Sequence, residues 1–164
     1  MRRRRAAAAL MVCGAAGFGL PVARADDAAP RYAAGAATFQ ANCAVCHGRD
    51  GRGQPSLAPP LTNYPAHYVA AADGRGQLAM TVLYGMFGDI AVEQKHYNFK
   101  MPGFAKFSDE TLAAVLNYVV FDLAHAAADL QPMTAADITQ ARQVPATGDA
   151  VRQRRLALIT ALGL

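Results

Sequence analysis

The sequence is poor in cysteine and, beyond its first residues, has no long apolar run. Only three of its 164 residues are cysteine: Cys13 near the N-terminus, and the close pair Cys43 and Cys46. No second cysteine pair and no closely spaced histidines are present to complete a four-ligand zinc site. No segment after residue 25 approaches the roughly 20 apolar residues of a membrane span. No stretch alternates as a strand does, so we predict an all-α fold.

The first 25 residues have the organisation of a secretory signal peptide. Residues 2–5 are all arginine, residues 6–20 carry no charge, and the Ala-Arg-Ala of residues 23–25 fits a cleavage site. We therefore predict that residues 1–25 are removed after Ala25, and that Cys13 is discarded with them. An uncleaved membrane anchor is the alternative, but its uncharged stretch is short for a span.

Little positive charge remains once this leader is removed. The whole chain has 16 basic and 12 acidic residues, a net charge of +4. Five of the arginines lie in the leader, so the mature chain has 11 basic and 12 acidic residues and a charge of −1. This balance argues against a nucleic-acid-binding protein. We predict a soluble periplasmic chain, in a compartment where free thiols tend not to persist.

The mature chain divides into a body, residues 26–125, and a C-terminal helical extension, residues 126–164. Apolar spacing predicts three helices in the body, over residues 30–48, 76–85 and 108–125. The segment between the second and third helices follows neither a helical nor a strand period, and we expect it to be irregular. With so much loop, a body of about 100 residues fills its core poorly, which indicates a bulky apolar group inside.

Three short signals refine these helices. Ser108 is expected to cap the last helix of the body, and Thr134 and Asp137 to form a capping box in the extension. Gly35 lies on the apolar face of the first helix, where a glycine lets another helix approach closely.

The extension ends in "VRQRRLALITALGL", in which Arg152, Arg154 and Arg155 precede an apolar run. Such an extension either covers the chain's own body or serves as a docking arm for an acidic partner or a lipid surface.

The stretch "ANCAVCHG" carries the chemistry of the chain. A redox pair of thiols is expected near a βαβ pattern, which this sequence lacks. A zinc site would need further ligands. Covalent haem attachment uses every feature of the stretch, because Cys43 and Cys46 can each add to one vinyl group while His47 binds the iron as proximal ligand.

Four stretches together resemble the class I c-type cytochromes, over about residues 30–125. They are "GAATFQANCAVCHG", "APPL", "YNFKMPGF" and "SDETLAAVLNYV", and their order and spacing agree with the family as well as their letters. The resemblance implies a cytochrome c-like helical fold around one covalently bound haem c. It also implies a carrier of single electrons rather than an enzyme.

The resemblance further implies the remaining site residues. The family's axial methionine lies in a Met-Pro loop, which assigns the sixth iron ligand to Met101. Met86 is the second choice, and His96 would give a bis-histidine site. The proximal histidine of the family donates to a proline-loop carbonyl, which matches Pro59, with Pro60 as its neighbour. We expect Met80 to pack in the core, and His67 and His125 to lie at the surface. Tyr97 and Asn98 are expected to form hydrogen bonds near the methionine or a haem carboxylate.

The resemblance also implies how the helices of the body pack and which kind of protein exchanges electrons with the chain. Gly35 and Phe39 should cross the last helix of the body near Val115 and Tyr118. The expected partners are redox proteins that donate and accept electrons. If the extension, which departs from the simplest family members, is a docking arm, its expected partner is a dehydrogenase or oxidase subunit. A haem sensor or haem enzyme with a displaceable sixth ligand is the alternative function, and a thiol or zinc protein without haem is a third.

Overall fold

The computed structural model describes residues 29–164, so the predicted signal peptide, its cleavage site and Cys13 lie outside the described residues. The helices are α1 (Ala33–Asn42), α2 (Ala44–His47), α3 (Tyr64–Ala70), α4 (Ala72–Tyr84), α5 (Asp109–Asn117), α6 (Ala135–Arg142) and α7 (Gly148–Leu162). A hairpin of β1 (Ile90–Val92) and β2 (Lys95–Tyr97) is the one sheet in this part of the chain. Over the same residues, no helix has both the length and the apolar character needed to cross a membrane. The predicted helical fold class is confirmed.

The first and last helices of the body cross in close contact at Gly35. A Cβ on Gly35 would collide with the backbone carbonyl oxygen of Ala114 in α5, so only glycine allows this approach. One turn further along α1, the fully buried ring of Phe39 lies 5.3 Å, centroid to centroid, from that of Tyr118. The predicted crossing of Gly35 and Phe39 near Tyr118 is therefore confirmed.

The C-terminal extension packs on the chain's own body. Ile138 of α6 and Leu158 of α7 are buried in one apolar cluster with Leu83 of α4 and Leu116 of α5. Both helices of the extension contact α4. The structure thus supports the first of the two hypotheses for the extension, that it covers the body.

Both predicted helix caps are present. The Ser108 side chain accepts a hydrogen bond from the backbone N–H of Thr111, at 3.2 Å. In the extension, the side chain of Thr134 accepts from the N–H of Asp137, and Asp137 accepts in return from the N–H of Thr134. Each cap satisfies donors that would otherwise be left free at a helix start.

The expectation of an irregular segment before Met101 was wrong, because that segment contains the hairpin. Ile90 pairs with Tyr97 and Val92 with Lys95 in antiparallel register. The two-residue turn, Glu93 and Gln94, has φ of 50° and 64°. Such turns favour Asn-Gly or Asp-Gly, so the letters Glu-Gln gave no turn signal, and three residues per strand are too few to show alternation.

The predicted helix boundaries were also partly wrong. The helix predicted over residues 30–48 breaks at Cys43 into α1 and α2, and the second predicted helix begins earlier, at Ala72. Helix α3, with Pro65 in its first turn, was missed because it follows a proline- and glycine-rich loop. The last helix of the body continues beyond Asn117 as a π-helical segment, Tyr118–Leu123.

Candidate functional site

A largely apolar cavity lies between the haem-attachment motif and the hairpin. All five residues predicted to hold a cofactor line it: Cys43, Cys46, His47, Pro59 and Met101. We call the part of the lining that residues 43–61 supply the proximal wall, and the part that residues 86–102 supply the distal wall. Aromatic and aliphatic side chains such as Phe39, Leu78 and Leu116 supply much of the remaining lining.

His47 is the best-defined polar group of the proximal wall. It is buried, and its Nδ1 lies 3.1 Å from the carbonyl oxygen of Pro59. A carbonyl only accepts hydrogen bonds, so Nδ1 donates and the lone pair of Nε2 is left free for a metal. Burial lowers the pKa of His47, and the hydrogen bond to Pro59 opposes this only in part. The imidazole is therefore held in its neutral, ligand-competent form.

The loop that presents the Pro59 carbonyl is folded tightly on a glycine. Gly53 has φ of 73°, and a Cβ there would lie 2.7 Å from the carbonyl carbon of Pro59. The N–H of Gly53 donates to the carbonyl of His47 at 2.7 Å, and the N–H of Leu61 donates to Gly51 at the same distance. These short-range bonds fix His47 and Pro59 relative to one another. Pro60 also lines the cavity, but His47 bonds to Pro59.

Cys43 lacks the lowered pKa of a reactive thiol. Burial, with a smaller contribution from Cys46, raises the pKa of Cys43 to about 11. Redox-active thiols instead have a lowered pKa that favours the thiolate. Nor do the described residues contain a group of three or more His, Cys, Asp or Glu side chains that could hold a metal ion. Neither the thiol nor the zinc hypothesis gains support.

Two methionines reach the cavity from the distal wall. Met86 and Met101 form an isolated antiparallel bridge, with N···O distances of 3.1 Å and 3.0 Å between their backbones. Gly85 has φ of 73°, and a Cβ on it would collide with the carbonyl oxygen of Met101. Met86 is nearly fully buried, whereas Met101 is partly exposed. Both are placed where a thioether can enter the cavity.

The cavity lining found among residues 29–164 includes none of the other candidate ligands. The His96 side chain is 71% exposed, and its Nδ1 lies 2.9 Å from a carboxylate oxygen of Asp89. His67 is exposed and bonds to Asn63. Met80 packs against the apolar core, as expected. Tyr97 is buried in the lining, while Asn98 is exposed.

Sequence reasoning missed several polar residues of the lining, among them the buried Tyr68 and Arg155. The docking-arm hypothesis used Arg155 together with Arg152 and Arg154, but Arg155 is only 4% exposed and is not available to a partner. Its position follows from helical spacing. Val151 lies four residues before it and Leu158 three residues after it, and both are buried, so Arg155 shares their inward face. That spacing was the available signal.

These side chains fit a haem. The cavity offers two thiols at the spacing for vinyl addition, a neutral imidazole oriented by a carbonyl, and thioethers from the distal wall. Its apolar lining suits the porphyrin faces. Two buried polar atoms in it, Tyr68 Oη and Arg155 Nη1, have no hydrogen-bond partner among the described residues, as expected beside a group with polar edges.

Comparisons with known proteins agree with the geometry. The family model described as Cytochrome c matches residues 32–120. The chain is 34% identical over 142 residues to a cytochrome c-552 of Thermus thermophilus, covering 85% of this chain and 90% of the relative. It is 36% identical over 124 residues to another cytochrome c-552 of Thermus thermophilus, covering 74% of this chain and 95% of the relative.

The first of these alignments extends into the C-terminal extension, because it covers 85% of the chain and residues 1–125 make up only about three quarters of it. The likeness therefore includes part of the segment beyond the family match. With the family model matching more than half of the chain, the identity is clear. The chain is a member of the cytochrome c family, a class I c-type cytochrome with covalently bound haem c that carries electrons.

Proposed function

We propose that the chain is a periplasmic mono-haem electron carrier whose iron is bound by His47 and Met101. The observation that carries this proposal is the meeting of Cys43, Cys46, His47 and Met101 in one apolar cavity. When bound, the haem supplies an iron centre that gains and loses one electron. The side chains of this cavity attach it, bind its iron and keep water away.

The proximal wall supports the roles of Cys43, Cys46 and His47. The thiols are half-buried in the cavity lining, where they can form thioethers with the ring. The Nδ1–H···O=C bond to Pro59 fixes the tautomer and the plane of the imidazole. The same bond makes Nε2 a more basic ligand, which stabilises the ferric state.

Met101 is the proposed sixth ligand, and Met86 is its competitor. Met86 is 8% exposed and belongs to the buried core. Met101 is partly exposed and is followed by Pro102, which restricts its backbone. The exposed, carboxylate-paired imidazole of His96 speaks against a bis-histidine site. An iron with two protein ligands has no open position, which favours electron transfer over oxygen or peroxide chemistry.

Electrons are proposed to leave and enter at the edge that carries the cysteines. Val45, between the two thiols, also borders the cavity and is 76% exposed, an unusual position for an apolar side chain. An exposed apolar residue beside a redox centre suits brief docking of a partner through a small interface. We propose that this partner is a redox protein such as a dehydrogenase or oxidase. The outer face of α7, with Arg154 exposed, is available for a second contact.

A matched pair of variants tests the ligand assignment. In Met101→Ala, the weak far-red band of ferric sulfur–iron bonding should vanish and the reduced form should bind CO rapidly. In Met86→Ala, the band should survive, although the buried cavity it leaves should cost about 2–4 kcal/mol of stability. The reverse result would assign the ligand to Met86. A wild-type protein that is high-spin, or that binds CO rapidly when reduced, would instead favour a sensor or enzyme.

A further inference from the structure

One arginine of the C-terminal extension holds the segment that follows Met101. Arg142, the last residue of α6, donates hydrogen bonds from all three of its guanidinium nitrogens. Its Nη1 donates to the carbonyl oxygen of Ala105 at 2.9 Å, and its Nη2 donates to that of Phe107 at 2.7 Å. Its Nε donates to a carboxylate oxygen of Asp109 at 2.6 Å. One side chain therefore joins three acceptors that lie close together in sequence.

The ion pair fixes the guanidinium in one orientation. The side chains of Arg142 and Asp109 are 30% and 20% exposed, so solvent reaches only part of the pair. The Thr139 hydroxyl of α6 also donates to the carboxylate of Asp109. Hydrogen bonds from Thr139 and Arg142 lower the pKa of Asp109, which therefore stays ionised at neutral pH. A planar fork whose Nε is fixed in this way can point its two Nη groups at the two carbonyls and at little else.

The first residues after Met101 lie against α4. A Cβ on Gly103 would lie 2.6 Å from a backbone carbonyl oxygen of α4, and the N–H of Phe104 donates to another at 2.8 Å. We call residues 102–107 the exit segment. It is held by α4 near its start and by Arg142 near its end, so it cannot swing away from the cavity while both attachments last.

Arg142 acts on the cavity only through the backbone. Among the residues that the structure describes, the cavity lining includes neither Arg142 nor its three acceptors. The lining does include Met101, Pro102 and Phe104, which belong to or directly precede the rest of the exit segment. A change at Arg142 therefore reaches the iron only by changing how freely the exit segment moves.

We infer that Arg142 is a positioning residue that keeps the Met101 thioether on the haem iron by fixing the exit segment. This inference rests on the proposed function, because it takes Met101 to be the sixth ligand. A loop opens more often when fewer contacts hold it closed. Removing the two carbonyl contacts of Arg142 should therefore let Met101 leave the iron more often, while the haem stays attached through Cys43 and Cys46.

The test measures how fast Met101 leaves the iron of the ferric holoprotein. Imidazole is added in excess, and its nitrogen lone pair takes the position that the thioether sulfur vacates. At saturating imidazole the rate at which the far-red band disappears no longer depends on concentration and equals the rate of methionine departure. Arg142→Gln should raise this limiting rate at least about tenfold, because hydrogen bonds from a charged donor contribute more than neutral ones.

Arg75→Gln is the matched control. Arg75 of α4 also donates to two backbone carbonyls, those of Gln131 and Pro132, and also pairs with a carboxylate, that of Asp137. Its side chain is 22% exposed, so the two arginines are buried to a similar degree. Its acceptors lie in the extension and not in the exit segment. Denaturant titration should show a similar loss of stability in both variants, but Arg75→Gln should leave the limiting rate within about twofold of wild type.

A second variant separates the fork from its charge. Arg142→Lys keeps the positive charge beside Asp109 but replaces the planar fork with a compact ammonium. The ammonium cannot hold both carbonyls in the same geometry, so the limiting rate should rise by a smaller factor than in Arg142→Gln. This variant also decides the question if Arg142→Gln does not accumulate, since a wild-type rate in Arg142→Lys would then overturn the inference.

The outcomes keep the two proposals apart. If Met101→Ala retains the far-red band, the ligand assignment of the proposed function fails. If Met101→Ala loses the band, but Arg142→Gln releases the methionine no faster than wild type, only the inference about Arg142 fails. The same conclusion follows if Arg75→Gln raises the limiting rate as much as Arg142→Gln, because the effect would then belong to the stability of the fold as a whole.

Discussion

The proximal and distal walls of the cavity are built from different parts of the chain. In the proximal wall, His47, the loop glycines and Pro59 are near neighbours in sequence and bond to one another. The distal wall has fewer internal bonds and depends on α7, more than fifty residues further along. There the N–H of Phe87 donates to the carbonyl of Gly148 at 3.2 Å, and Arg155 donates to Ala91.

This difference separates two kinds of stability. Short loops cost little entropy to close, so the proximal wall can form locally around its own motif. The distal wall is ordered by long-range packing, which holds only when the extension is docked. We therefore expect changes in the extension to alter the methionine side of the iron, and to leave the histidine side as it is. The following predictions test that expectation.

The largest effects are expected from a matched pair of glycine substitutions, Gly53→Ala and Gly85→Ala. Both glycines have φ of 73°, and a Cβ on either meets backbone of the opposing segment. Strain and collision together should lower the free energy of unfolding by about 3 kcal/mol in each variant. Their effects on the iron should differ. Denaturant titration and visible spectra of the two holoproteins measure both quantities.

Gly85→Ala should weaken or abolish the sulfur–iron band, because the Gly85 backbone packs on Met101. Gly53→Ala should keep the band but raise the reduction potential, because it disturbs the His47–Pro59 hydrogen bond that makes the imidazole more basic. If both variants lose the band equally, the two walls are not independent.

A smaller effect is expected from Gly148→Ala, at the first residue of α7. A Cβ there would lie 2.7–2.9 Å from ring atoms of Phe87, which can move but must do so within the distal wall. The free energy of unfolding should fall by about 1–2 kcal/mol, and CO should associate faster with the reduced protein.

Gly163→Ala is the control for this variant. Gly163 is the left-handed C-cap of the same helix, and a Cβ on it meets nothing within 4 Å. Its replacement should cost about 1 kcal/mol through backbone strain alone, without changing CO association. Equal CO rates in the two variants would contradict a specific contact between α7 and the distal wall.

The difference between local and long-range contacts also explains how much of the fold and of the site could be predicted from the sequence. The motif of Cys43, Cys46 and His47 is contiguous, and its chemistry can be read from residue types and spacing. The caps at Ser108 and Thr134 are equally local, and both were predicted. The contact of Gly35 with the last helix is long-range, but the family resemblance implied it.

What could not be predicted depends on tertiary contacts without a local signal. The hairpin has a Glu93-Gln94 turn, whose residue types are uncommon at positive φ. Arg155 is charged and lies among other arginines, so composition indicated the surface, and only the packing of α7 on the body buries it. Residue type likewise does not decide whether Met86 or Met101 is the sixth iron ligand, because both methionines line the same cavity.

The smallest effect on the iron is expected from Asp137→Asn, which weakens the extension where it is remote from the cavity. Asp137 of α6 pairs with Arg75 of α4 at 2.7 Å, and both side chains are about three-quarters buried. Burial raises the pKa of Asp137, but hydrogen bonds from Arg75 and Thr134 outweigh it and lower the pKa below its ordinary value of 3.8. The variant should lose about 1 kcal/mol of stability at neutral pH, with its visible spectrum unchanged.

The pH dependence of that loss gives the sharper check. A carboxyl with a lowered pKa in the folded state stabilises the fold above its unfolded pKa, and this stabilisation disappears as the pH falls through its folded pKa. The difference in unfolding free energy between wild type and Asp137→Asn should therefore be constant above about pH 5 and shrink steadily below about pH 4. CO association that is as fast in reduced Asp137→Asn as in reduced Gly148→Ala would mean that both helices of the extension, and not only α7 and Arg142, control the distal wall.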